Sequence, residues 1–189
     1  MTARPPRMPT IPDAQLTDAQ KTAVAAIVSG PRGRLVGPFI PLMRSPDFMS
    51  RLQHMGAYLR FDSALEPRRS EMVILMTARL WTQAFEWHHH RPIAEKAGLS
   101  AEIIDAIAEG RRPAKMAADE AAIYDFVDEL SRIHTVSDAT YKRAKEQFGE
   151  RGVIDMIGLH GYYSLLAMVL NVSRAPLPEG ATPGIDPLP

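Results

Sequence analysis

Apolar residues recur along most of the chain at helical spacing, and no stretch alternates apolar and polar positions with a period of two. Helices are therefore predicted from one end to the other, and capping signals divide them. Thr17-Asp18-Ala19-Gln20 has the reciprocal spacing of a capping box, so a helix is expected to about Ser29, stopping at Gly30-Pro31. Ser45-Pro46-Asp47 opens the next, to about Arg60, with a cap, a first-turn proline and a carboxylate at the positive end of the dipole. Pro67 opens a helix through 78–81, and Thr82 caps a following one that ends at Gly98. Ser100 caps 101–109, residues 117–134 are apolar at helical spacing, and Ser137 with Asp138 begins a helix to about Phe148. The last, 150–171, is apolar nearly all round, which implies burial on several sides. The reading is an all-α domain of about eight helices over 17–174. A proline-rich arm (1–16) precedes it, extended and draped over a neighbour or disordered, and a proline-rich tail (175–189) follows.

One segment departs from this pattern. PRGRLVGPFIPLM, residues 31–43, holds three prolines and two glycines and reads as a loop without a regular element. Its Leu35, Val36, Phe39, Ile40, Leu42 and Met43 are too apolar for an idle surface loop, so it is expected to cover the core or a pocket.

Composition narrows the function more than the fold. With 22 basic and 22 acidic residues and no basic stripe, the chain does not read as a nucleic-acid protein. With no cysteine, disulfides, thiolate metal sites and thiol redox catalysis are excluded. Val153–Val172 carries Asp155, His160 and two glycines, and reads as a buried helix rather than a membrane span. A cytoplasmic location and a homo-oligomeric state are expected, the latter because a neutral surface favours association.

Reactive groups concentrate in Glu71–Gly98, EMVILMTARLWTQAFEWHHHRPIAEKAG, which holds three of the six histidines. On a helix from 82 to 97, Gln83, Glu86 and His90 share a face. A carboxylate four residues before an imidazole raises its proton affinity and orients it, making an acid/base pair. Glu71 on the preceding helix is placed to fold back towards them. Pro92 is expected to kink this helix beside the histidine run. An exposed Glu–His pair would be only a weak surface contact. Arg68-Arg69 reads as a solvated helix start, Tyr58 as a core position, and His160 either as a satisfied core residue or as a group facing the same cavity as His90.

These residues resemble a known family. GPFIPLMRSP, LQHMGAYLRF, RRSEMVILMTARLW, FEWHHHRPIAEKAGLS and the long segment from Val136 to Val172 look like the carboxymuconolactone decarboxylase-like family, which includes alkyl hydroperoxidase D. The resemblance covers roughly 33–178 and implies a helical bundle around a central helical hairpin (67–98), assembled as a dimer, trimer or hexamer. The peroxidase branch has a glutamate, a CxxC twelve residues later, and a histidine four after the second cysteine. Laid on Glu71 without a gap, that pattern falls on Gln83, Glu86 and His90, so the glutamate and histidine are kept and both cysteines are replaced. Peroxide reduction by attacking and resolving thiols is then impossible.

The resemblance implies a cofactor-free lyase or acid/base enzyme on a small lactone or organic acid. Glu71, Glu86 and His90 are the candidate catalytic residues: His90 as proton donor, Glu86 tuning it, Glu71 orienting or relaying. Gln83, His89 and His160 are candidate substrate contacts. No resident metal is expected. The alternatives are a metal site using Glu86 and His90 with His89 or His160, and a non-catalytic small-molecule binder whose pocket is filled by Trp87 or Phe85.

Overall fold

Residues 70–79 of one helix are all buried, and the other elements pack around it. The structure, a computed structural model, describes residues 5–30 and 33–187. Expectations for the first four residues of the arm, the stop at Pro31 and the last two residues of the tail lie outside these. The elements are α1 (Asp18–Val28), α2 (Phe39–Leu42), α3 (Pro46–Phe61), α4 (Pro67–Leu80), α5 (Ala84–Lys96), α6 (Ala101–Ala108), α7 (Ala118–Ile133) and α8 (Asp138–Ser173), with no strand among the described residues. The all-α reading holds.

α4 is the central helix: α5, α6, α7 and α8 all pack on it. Met72, Val73, Ile74 and Leu75 have no exposed surface. Burial stabilises each of these side chains by about 1.5–3 kcal/mol. The capping box at Thr17–Gln20 forms as the spacing predicts, and Ser100 and Ser137 cap α6 and α8.

Three local expectations need correction. The loop at 31–43 contains one helical turn, α2, with Pro41 inside it. A proline is tolerated there because first-turn N–H groups have no intrahelical partner. Thr82 does not cap α5. It lies in the tight link at φ 46°, and Gln83 is the cap, accepting from the Phe85 N–H. Pro92 lies inside α5 without ending it. Arg68 and Arg69 are not solvated: Arg68 pairs with Asp119 (2.6 Å) and Glu120, and Arg69 with Asp119 (2.8 Å). Burial works against ionisation of Asp119, but hydrogen bonds from Arg69 and Arg68 outweigh it and hold the carboxyl below its usual range.

The two helices predicted at 137–148 and 150–171 form a single run broken only at Gly149 (φ 66°, ψ 176°), a conformation that favours glycine. Tyr58 is half-exposed rather than core, and its hydroxyl donates to Asp155 (3.0 Å), which also accepts from the Ala64 N–H (2.7 Å). Both proline-rich ends pack on the bundle. The Arg7 N–H donates to the Ser173 carbonyl, and Ile185 is buried beside the helices. Buried Arg79 donates to the Asp186 carbonyl at 2.6 Å.

Candidate functional site

The α4–α5 hairpin turns within three residues, so Glu71 on α4 and His90 on α5 face each other across the helix pair. His90 Nδ1 and Glu71 Oε2 are 2.7 Å apart, and both side chains are buried. The His90 ring also stands edge-on to Tyr163 of α8 and to His89, with centroids 5.0 Å apart in each case. When Glu71 is ionised it accepts the Nδ1 proton. That fixes the tautomer and leaves Nε2 as an acceptor on the ring's far side. No described protein group bonds Nε2.

His90 lines a cavity of about 290 Å³. The walls come from four elements: Arg34, Val36, Pro38 and Phe39 before and within α2, Arg60 and Phe61 at the end of α3, Phe85, Glu86, His89 and Ile93 of α5, and Tyr163 and Leu166 of α8. The apolar segment 31–43 is thus a wall of this cavity, which accounts for its composition. A wider hollow of about 620 Å³ adjoins it, sharing Arg34, Val36, Phe85 and His89 and reaching His88 and Pro176–Pro178.

Glu86 is the electrostatic centre of the cavity. It is 3% exposed, and neither carboxyl oxygen has a hydrogen-bond partner. Burial raises its pKa well above the usual carboxylate value and so favours the neutral carboxylic acid. His89 is held neutral for the same reason. Burial first, then the charges of His90, Arg60, Arg34 and His88, lower its pKa to about 4. Burial also raises the Tyr163 phenol well above its usual value. The cavity therefore contains an unpartnered acid, an imidazole acceptor held by a carboxylate, and neutral side groups. Arg34 and Arg60 stand at its edge with no carboxylate partner among the described residues; Arg60 lies over the Phe61 ring instead.

Three of the six residues predicted for the site, Glu86, His89 and His90, line the cavity, and Glu71 braces His90 from behind. The partner of His90 is Glu71 and not Glu86, because the α4–α5 packing brings Glu71 to the Nδ1 side of the ring. Gln83 and His160 fall outside. Gln83 spends its oxygen on the α5 cap and donates to Asn171 (2.7 Å). His160 bonds Thr77 (2.9 Å) and approaches Ser131 (3.5 Å) between α4 and α7, the core alternative of the sequence reading. Sequence reasoning missed Arg34, Arg60, Phe61, Tyr163 and Leu166. Each is ordinary in its own segment, and only the fold brings them together. The nearest signal was Arg60, a charge ending the apolar run HMGAYLRF. Among the described residues no group of three His, Asp or Glu side chains is arranged to hold a metal.

Known proteins share this architecture. A crystal structure from Ralstonia eutropha JMP134, described as an alkylhydroperoxidase AhpD core and an uncharacterized peroxidase-related protein, superposes with a TM-score of 0.74 at 18% identity, covering 94% of this chain and 95% of that one. A protein of unknown function from Agrobacterium tumefaciens, named as a candidate antioxidant defence protein AhpD, gives a TM-score of 0.64 at 18% identity over 72% of this chain and 94% of the other. No curated protein matches the chain. The carboxymuconolactone decarboxylase family matches residues 46–129, from the start of α3 into α7, which includes Arg60, Glu71, Glu86, His89 and His90. Over residues 46–129 the chain is similar to the carboxymuconolactone decarboxylase family, on an all-α fold that it shares with these AhpD-like structures, and it carries no cysteine.

Proposed function

We propose that the protein is a cofactor-free lyase, or a closely related acid/base enzyme, acting on a small lactone or organic acid in the Glu86–His90 cavity. The observation that carries this reading is Glu86: a buried carboxyl with both oxygens unpartnered, whose burial favours the uncharged form, in the same cavity as an imidazole braced by Glu71. An unpartnered buried polar group costs about 1–3 kcal/mol, so a fold retains one where a ligand or a reaction uses it. A carboxyl and an imidazole in one cavity are the groups that proton transfer to and from carbon requires.

The edge of the cavity supports an acidic substrate. Arg34 and Arg60 come from different elements and have no carboxylate partner among the described residues, while Glu86, His89 and Tyr163 are held neutral. A substrate carboxylate between the guanidiniums balances that charge. In decarboxylation beside a conjugated lactone, the C–C bond to the carboxylate breaks and carbon dioxide leaves. The bonding pair moves into the lactone carbonyl, giving a dienolate. Glu86 then delivers its proton to carbon, and His90 returns one from solvent to Glu86. This gives the donor role to Glu86, where the family resemblance implied His90 as donor with Glu86 tuning it, and makes His90 the relay.

Peroxide reduction through thiols is excluded, since the chain has no cysteine. The non-catalytic reading is less well supported, because neither aromatic closes the cavity: Phe85 lines it, and Trp87 packs instead against Gly184, where a Cβ would come within 2.9 Å of the indole.

The test is carbon dioxide release from a panel of unsaturated lactone acids by the wild-type chain and by Glu86→Gln. Gln keeps the volume and removes the transferable proton. Turnover of one substrate should fall at least about 100-fold, the usual scale of a general acid. Turnover within twofold of wild type would remove Glu86 from the mechanism.

A further inference from the structure

The segment after α8 is built into the bundle beside the candidate site. Pro176, Leu177 and Pro178 line the hollow of about 620 Å³, next to His88 and Pro92 of α5. Further on, Gly184 (φ 71°) lies on Trp87 of α5, where a Cβ would come within 2.9 Å of the indole, and Ile185 is buried. The Asp186 carbonyl then accepts from Arg79 of α4 at 2.6 Å. Arg79 is 5% exposed and also donates to the Ala108 carbonyl (3.3 Å) and the Thr82 hydroxyl (2.8 Å), so all three acceptors are neutral oxygens. Burying a guanidinium is costly, and this one fastens the far end of the segment to α4 and α6. Two prolines of fixed φ and a fastened end make residues 176–178 a preorganised wall rather than a loose end.

That wall encloses a space with no part in the reaction proposed above. Ligand sites run to about 300–1,000 Å³. The cavity holding Glu86 and His90, at about 290 Å³, is at the lower limit, and the hollow beside it has about twice that volume. Arg34, Val36, Phe85 and His89 wall both spaces. Phe85 is held between them, with Gly37 against one part of its ring and His89 stacked at 6.4 Å. The hollow differs from the cavity in chemistry. The side chains that line it alone are Ile40, Pro92, Pro176, Leu177 and Pro178, with His88 as the one polar group. An acid end is thus served by the cavity and Arg34, and whatever extends past Phe85 meets aliphatic surface. A polar chain would give up hydrogen bonds with water there, whereas an apolar one gains by burial. We propose that the hollow is the second half of the substrate site: it takes an alkyl or aryl substituent of several carbons on the acid whose reacting end lies beside Glu86 and His90, and the segment Pro176–Pro178 sets the selectivity for it. The proposal rests on the acid/base reading for the reacting end and adds the substituent.

The test is calorimetric binding of saturated, unreactive five-membered lactone acids carrying hydrogen, butyl or hexyl. Each buried methylene is worth about three- to fourfold in affinity. The hollow is open on one side, so the hexyl acid should bind at least about 30-fold more tightly than the unsubstituted one. Leu177→Trp, which fills the hollow, should bring that ratio below about threefold. Ile185→Asp, which puts a charge where the segment is buried, should lower the ratio at unchanged helical circular dichroism by freeing the wall. Wild-type affinities within twofold across the series make the hollow an entrance only and overturn the proposal, as does a ratio unchanged in Leu177→Trp. No binding of any acid at about millimolar concentration overturns the proposal and the acid reading together. Since these acids do not react, the two readings fail separately. Carbon dioxide release with flat affinities rejects the subsite alone, and a steep series without carbon dioxide release from any unsaturated analogue upholds the subsite and rejects the lyase.

Discussion

Replacing Glu86 by Gln should change the pH dependence of stability, and the size of that change follows from burial. In the unfolded chain a glutamate titrates near 4.3. In the folded protein Glu86 is 3% exposed without a donor, so its pKa is raised and the native state keeps a proton that the unfolded state releases. The sign follows directly: the native state binds more protons, so stability falls as pH rises. The contribution is fully present below about 4.3 and is lost as pH climbs through the raised folded value. Between those limits the slope approaches about 1.4 kcal/mol per pH unit. Gln has similar volume and buries a comparable polar group, so it shifts the whole curve but has no slope of its own. Urea unfolding of wild type and Glu86→Gln at pH 5, 5.75 and 6.5 gives the difference in stability at each pH. The wild type should lose stability relative to the variant as pH rises across that interval. Parallel curves would mean that Glu86 is charged or solvated in the fold, and the neutral-acid account would fail.

Arg60→Ala should raise KM for a lactone carboxylate by about tenfold or more with a smaller effect on kcat, as expected for a group that binds the acid without moving its proton; steady-state kinetics separates the two. Gly37→Ala combines a positive φ of 58° with a Cβ pressed into the Phe85 ring, and should cost about 1–3 kcal/mol in urea unfolding. Since Phe85 lines the cavity, the same variant should weaken substrate binding. Asp155→Ala leaves the Ala64 N–H and the Tyr58 hydroxyl without their buried acceptor, and should lower stability by about 2–3 kcal/mol at neutral pH.

The helices were legible because their signals are local. A capping box, a proline at the first turn and a glycine after the last act within four residues, so Thr17, Pro46, Ser100 and Ser137 mark their helices correctly. Errors arose where tertiary contacts outweigh local preference. Arg68 and Arg69 look like a solvated helix start until α7 brings Asp119 and Glu120 against them. Helix 150–171 looks buried on several sides because composition cannot distinguish a face covered by the chain's own core from one left exposed, as at Ile154 and Ile157. At the site, spacing on one helix placed Glu86 and His90 together, but no local pattern predicts which of two glutamates meets Nδ1. That choice is made by the α4–α5 packing, nineteen residues apart in sequence.

The two positions where the peroxidase pattern carries thiols show how one scaffold shifts its chemistry. Gln83 caps α5, where a thiol would sit among free N–H groups and be stabilised as thiolate. The Gln oxygen takes up the Phe85 N–H, so the helix end is satisfied and inert. Glu86 lies in the first turn of the same helix, where the dipole favours a charged carboxylate by about 0.3–1 kcal/mol, less than one pKa unit. Burial without a single donor acts in the opposite direction and wins, since its effect raises the pKa well above the usual value. Under the proposed function, a carboxyl at the position of the second cysteine carries a proton where the peroxidase pattern carries a thiol, beside the same Glu71–His90 pair. On this reading the Glu71–His90 pair is the part of the site compatible with both chemistries, and Glu86 decides which one this chain can perform.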